Sequence, residues 1–236
     1  MCWSGEASAV LATIGISTAC YLAIKKEHRA LYISLGYFSL MELLQAFTYT
    51  VIDQCQLPLN QVLTFLGYLH IVYQPFFVNM VSLYFIPQNV ARRIAPIVYF
   101  FCFIASTLML LKLYPFQWAG RCNTLSEPVC GSVLCSYSGN WHIAWDLPLN
   151  NFPMTITVYC LAAFLLPFLY GSWRVTIGHL VSGPMVAIFL NTKKNEWPAV
   201  WCLLSIGLIL TVAKTPIRKY LHVKHWPLWP RTTKEI

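Results

Sequence analysis

Uncharged apolar runs recur along this chain at lengths that match a lipid bilayer. The stretch "IAPIVYFFCFIASTLMLL" at 94–111 is one of them, close to the ~20 apolar residues a helix needs to cross ~30 Å of hydrocarbon. Membrane strands instead alternate over about ten residues, which these runs do not. The pattern predicts an all-α, seven-transmembrane helix bundle with spans near 4–24, 31–52, 59–86, 94–114, 152–173, 175–190 and 197–214. Only 10% of residues are charged and 58% are hydrophobic, whereas soluble domains carry about 25% charged residues. A single membrane domain is expected, with a long loop or lid at 115–151 between helices four and five and a basic tail at 215–236.

The net charge of +8 is informative through its placement. With the N-terminus outside, twelve of the sixteen Lys and Arg fall on the inner side: Lys25, Lys26, Arg29, Arg92, Arg93, Arg174, Lys214, Arg218, Lys219, Lys224, Arg231 and Lys234. Lys112, Arg121, Lys193 and Lys194 fall outside. The positive-inside rule therefore predicts N-terminus out and C-terminus in, a multi-pass cell-membrane protein. The basic excess reports topology and attraction of the tail to lipid, and no nucleic-acid partner is expected. The first apolar run lacks a basic n-region and carries Glu6, so it reads as helix one and not as a cleaved leader.

Five cysteines (Cys2, Cys55, Cys122, Cys130, Cys135) lie on the predicted outer side and four (Cys20, Cys102, Cys160, Cys202) within spans. Outer cysteines in an oxidising compartment point to disulfides, with Cys55 or Cys2 as partners for the long loop. The loop spacing C-x7-C-x4-C is not a zinc-finger pattern. Two helices carry interruptions, Gln74-Pro75 in helix three and Ser182-Gly183-Pro184 in helix six. Mid-helix proline frees a carbonyl, which either lines a cavity or is satisfied by a neighbouring helix.

Ionisable groups inside a span are costly and therefore mark sites. Helix two offers Glu42, with Gln45 and Tyr49 on the same face; helix three offers His70, with Gln74 and Asn79 following it. Counting at ~1.5 Å per residue brings Glu42 and His70 to one depth near the midplane. A contact there reads as a structural hydrogen bond, a proton or ligand pair, or half of a metal site that needs a third ligand. The motif "NWHIAWD" adds Asn140, His142 and Asp146. A helical turn places His142 and Asp146 on one face and Trp141 and Trp145 on another. Two readings follow: an interfacial helix anchored by tryptophans, or a loop helix aiming His142 and Asp146 down toward Glu42 and His70. His179 in helix six is a poorer partner, about one turn from the inner end.

The segments "MCWSGEAS", "MELLQ", "DQC", "YLHI-x-YQPFF", "GNWHIAW", "YGSWR" and "NEWPAVWCLLSIGL" together resemble an uncharacterised family of seven-helix membrane proteins of bacteria and some large DNA viruses. The resemblance spans nearly the whole chain, supports seven helices and brings no activity with it. Intramembrane zinc hydrolases of the alkaline ceramidase and progestin-receptor type look similar in helix number. Ser138, His142 and Asp146 imitate part of their pattern, but the H-x3-H pair expected in the last helix is missing. Retinal proteins need a lysine in the middle of helix seven, and Lys214 lies at its inner end. Proline-glutamine sugar transporters share only Pro87-Gln88.

Three functional expectations remain, the third of them a purely structural membrane subunit in which the polar faces of helices two and three satisfy each other. The first is a transporter or sensor binding a small ligand, ion or proton in a polar pocket of Glu42, His70, Gln45, Tyr49, Gln74, Asn79 and Asn140. The second is a metal-dependent hydrolase on a lipid-like substrate, with zinc or iron held by His70, His142 and His179 and with Glu42 or Asp146 completing the shell or acting as base.

Overall fold

The computed structural model describes residues 3–124, 127–152, 155–190 and 193–229. Helix α1 (Gly5–Ile24) is capped by Ser4, whose hydroxyl accepts from the Ala7 N–H at 3.2 Å. Its buried stripe, Ser8, Ala12, Gly15, Ala19 and Leu22, consists mostly of small residues. Small residues let two backbones approach closely, and α1 packs along α2 (Arg29–Tyr49). At Gly15 the approach is closest, since a Cβ there would stand 2.0 Å from Ser39 Oγ.

Helix α3 (Pro58–Tyr84) begins on Pro58 and runs through Pro75 without a break. The helix stays continuous at Gln74-Pro75, where the sequence predicts a break, and side chains of α4 and of α3 itself bond the backbone around it. Ser106 Oγ donates to the Val72 carbonyl at 2.7 Å and Asn79 Nδ2 to the Pro75 carbonyl at 2.8 Å. Helix α4 (Gln88–Leu111) starts six residues earlier than the apolar run, taking in Arg92 and Arg93.

Two helical rods contain π turns. Helix α5 (Thr155–Cys160) passes through a π turn (Leu161–Leu165) into α6 (Leu166–Leu169). Helix α7 (Trp173–Leu180) passes through another (Val181–Met185) into α8 (Val186–Leu190). The second falls where Ser182-Gly183-Pro184 predicted a break: proline removes one helical bond, and the chain absorbs this by widening one turn. A 3-10 turn (Lys194–Glu196) leads into α9 (Trp197–Lys214), and a short α10 (Ile217–Leu221) follows. Among the described residues, five helices are long and apolar enough to cross a membrane: Gly5–Ile24, Arg29–Tyr49, Gln88–Leu111, Trp173–Leu190 and Lys194–Val212.

The long connection between α4 and α5 forms a stapled cap. Strands β1 (Cys135–Ser138) and β2 (Ile143–Asp146) pair antiparallel, Cys135 opposite Asp146 and Ser138 opposite Ile143. Disulfides join Cys122 to Cys130 within the cap and Cys135 to Cys55 in the α2–α3 turn. The expected link to Cys55 is therefore present, while Cys2 lies outside the described residues, as do Arg231 and Lys234 of the tail. Polar bonds reinforce the staple: Asn60 Nδ2 donates to the carbonyls of Val51 (2.9 Å) and Ser136 (2.8 Å), and its Oδ1 accepts from the Ser136 N–H (3.0 Å). Asp53 accepts from the Ser138 N–H and hydroxyl at 2.7 and 2.6 Å.

The hairpin corrects the helical turn expected for "NWHIAWD". Trp145 is 2% exposed and packs against Gly67 in the core, so it is no interfacial anchor; Trp141 is 39% exposed. Residues of β2 alternate between faces, and pairing with β1, which is fixed through Cys55, Asn60 and Asp53, overrides the i, i+4 pattern of the tryptophans.

Candidate functional site

Seven carboxylates lie among the described residues, and their surroundings sort them. Glu27 pairs with Arg218 at 2.9 Å and Glu127 with Lys112 at 2.9 Å. Asp53 holds Ser138, and Asp146 Oδ1 accepts from the Tyr137 hydroxyl at 3.2 Å. Glu6 is exposed in the first turn of α1, where a negative charge suits the helix dipole. Glu196, fully buried, accepts three backbone N–H groups, from Asn140 (2.7 Å), Trp141 (2.8 Å) and His142 (3.1 Å). Glu42 is also fully buried, and neither of its oxygens has a hydrogen-bond partner.

Glu42 sits in the middle of α2 among Ser8, Trp3, Tyr49 and Cys202. The Trp3 indole N–H is spent on Ser8 Oγ at 2.7 Å. One turn along α2, Gln45 is 1% exposed and both of its amide atoms are unpartnered. A further turn along, the Tyr49 hydroxyl contacts His142 Nδ1 at 3.0 Å. The stripe read from the sequence is thus present and ends against the cap. Native interiors leave few buried polar groups without partners. Among the described residues, the unpartnered buried side-chain atoms belong to Glu42, Gln45, His70 and His142, all of them anticipated from the sequence.

The expected Glu42–His70 hydrogen bond is not made. The His70 ring stacks on Tyr37 (centroids 4.0 Å apart, 14° between planes), and the Tyr37 hydroxyl donates to the His70 carbonyl. Tyr37 precedes Glu42 by five residues, about 140° away around α2. His70 therefore docks on a different side of that helix, and its Nε2 stays unpartnered.

Gln74 Oε1 accepts from the Tyr159 hydroxyl at 2.7 Å, and Nε2 reaches Cys202 Sγ at 3.8 Å. Asn79 is saturated: Nδ2 donates to the carbonyls of Pro75 and Ala162, both at 2.8 Å, and Oδ1 accepts from the Tyr170 hydroxyl at 3.1 Å. Asn140 is exposed and contributes its backbone N–H to Glu196. His142 and Asp146 do not form the joint face expected of them. His142 is 1% exposed against Tyr49 and Trp3, whereas Asp146 contacts Tyr137 and Asn195. Burial, with the Asp146 carboxylate second, pushes the Tyr137 phenol up to about 12.

His179 accepts from the Trp201 indole N–H at 3.0 Å and lies 3.4 Å from Ser205 Oγ. His70, His142 and His179 thus stand against Tyr37, Tyr49 and Trp201 respectively, in separate surroundings. Among the described residues, no group of three His, Cys, Asp or Glu is placed to hold a metal ion, so the zinc or iron site expected from these histidines is not assembled.

Glu196 is the residue that sequence reasoning missed. The available signal was a lone carboxylate at the start of an apolar helix in "KNEWP", two residues before Pro198. Its three donors come from the turn of a hairpin more than fifty positions earlier. Gly139 makes room for it, because a Cβ there would stand 2.3 Å from Glu196 Cδ.

A helical protein with several membrane-length apolar helices and a polar centre beneath a disulfide-stapled cap is the class that fold and site define. The chain belongs to the family of unknown function DUF5765, whose model matches residues 6–222. No curated protein and no solved structure matches it.

Proposed function

We propose that this is a seven-span membrane protein, N-terminus outside, whose polar centre on α2 binds a proton or small cation as part of transport or sensing. The carrying observation is Glu42: fully buried in an apolar helix, with Ser8 and Trp3 near it but no hydrogen bond made to either oxygen. A buried carboxylate in that position is compensated by a proton or by a bound cation. Gln45 adds a carbonyl and two N–H donors one turn away, and Tyr49 continues the polar line to the cap. Helices α3 and α5–α6 complete the seven crossings with the five apolar helices. The cap, with its two disulfides, then faces the oxidising side, consistent with the excess of Lys and Arg at the opposite end.

Infrared difference spectroscopy on detergent-purified protein tests this. A protonated-carboxyl band that is absent in Glu42→Gln, or that disappears on adding millimolar sodium, potassium or tetramethylammonium, is the expected result. Wild-type protein showing neither the band nor any response to the cations would remove the proposal.

A further inference from the structure

The two edges of the His142 ring have different fates. Its Nδ1 accepts from the Ile143 backbone N–H at 2.9 Å and meets the Tyr49 hydroxyl at 3.0 Å. A backbone N–H cannot donate to a nitrogen that carries a proton, so the hydrogen-bond network assigns the proton of the neutral ring to Nε2. Burial pushes the imidazole down to about 3, so the ring is neutral at ordinary pH. Nε2–H is therefore a buried donor with no acceptor among the described residues, a state that is costly unless a ligand or water answers it.

The same ring borders a cavity of about 170 Å³. Its other walls are Trp3, Trp141, Leu190, Val200, Leu203 and Leu204. Leu190 and Trp141, 37% and 39% exposed, form its rim, whereas Val200 is 4% exposed. The lining is apolar apart from the histidine and the Trp indoles, and none of it is cationic. A pocket of apolar walls with one placed polar group selects a ligand that is apolar over most of its surface and polar at one end. An anionic head, carboxylate or phosphate, would be left without a counter-charge and is disfavoured.

We propose that this cavity binds the uncharged, oxygen-bearing head of a single-chain amphiphile taken from the surrounding lipid, such as a monoacylglycerol or fatty alcohol. His142 Nε2–H, which has almost no accessible surface of its own here, donates to the head oxygen once a wall side chain gives way, and the leucine wall of α9 with Leu190 holds the first part of the chain. The inference rests on the proposed membrane setting and not on Glu42, which lies outside this cavity. Infrared bands at Glu42 and ligand capture at His142 report different atoms, so either reading fails without the other.

The test uses a monoacylglycerol with a diazirine near its head, photocrosslinked to the full chain in phosphatidylcholine nanodiscs and mapped by mass spectrometry. The expected label falls on the peptide containing Val200, Leu203 and Leu204 or on Trp141. Excess monoolein suppresses it at least tenfold, while 1-octadecene, a chain without an acceptor, leaves it within twofold. His142→Phe, which removes the donor, and Leu203→Trp, which fills the cavity, each lower the yield about tenfold. Equal competition by octadecene, label spread evenly over α1, α4 and α9, or undiminished label in folded His142→Phe would each overturn the proposal. Should His142→Phe not fold, the two competitors on wild-type protein still decide it.

Discussion

Two buried amides, Asn79 and Gln45, sit in adjacent helices and could hardly be treated more differently. Asn79 spends both N–H groups and its oxygen on three other backbone and side-chain groups, clamping α3 to the first π turn and to Tyr170. Gln45, equally buried, meets no partner at either end. Saturated polar groups in an apolar bundle fix the packing of helices; unsaturated ones carry a desolvation cost that only something bound can return. The difference separates framework from site without reference to any activity. Glu196 and Glu42 repeat the contrast among carboxylates, the first accepting three backbone N–H groups and the second making no hydrogen bond through either oxygen.

The contrast is open to breakage at four points. Glu196→Ala strips the acceptor from three backbone N–H groups and is expected to cost about 4 kcal/mol, read as a lower midpoint of thermal unfolding in detergent. A change under 1 kcal/mol would mean that the hairpin turn does not depend on it. Asn79→Leu, close in shape, leaves the Ala162 carbonyl and Tyr170 hydroxyl unpaired and should cost about 3 kcal/mol by the same assay.

Acidification probes His142. Its folded-state value of about 3 lies below the ordinary ~6.5 of an unfolded histidine. The unfolded chain therefore binds more protons within that window, and the stabilisation is full above it and lost as pH falls through it. Between pH 7 and pH 4 the wild type should lose about 3 kcal/mol more than His142→Phe, measured by denaturant unfolding at each pH. Equal slopes in the two proteins would show that the imidazole is not held neutral by burial. The smallest effect has the opposite sign: Gln45→Met replaces an unpartnered amide with an apolar group of similar shape and is expected to be neutral or to stabilise by up to about 1 kcal/mol. A loss as large as that of Asn79→Leu would erase the distinction between the two amides.

The sequence by itself determined the apolar helices, the polar stripe of Glu42, Gln45 and Tyr49, and a long cysteine-bearing connection with Cys55 or Cys2 as its partner. These follow from local composition and from i, i+3 and i+7 spacing, which a helix obeys whatever surrounds it. Only the tertiary structure decided which polar groups find partners. The Glu42–His70 bond expected from depth alone fails because depth fixes height along two helices but not rotation about them, and Tyr37 takes His70 on another side of α2. Likewise "NWHIAWD" becomes a strand because Asn60, Asp53 and Cys55 supply pairing and staples from eighty residues away. The nest around Glu196 joins a hairpin turn to the start of α9, and no local pattern encodes it: the three N–H groups belong to the backbone, which carries no sequence signature of its own.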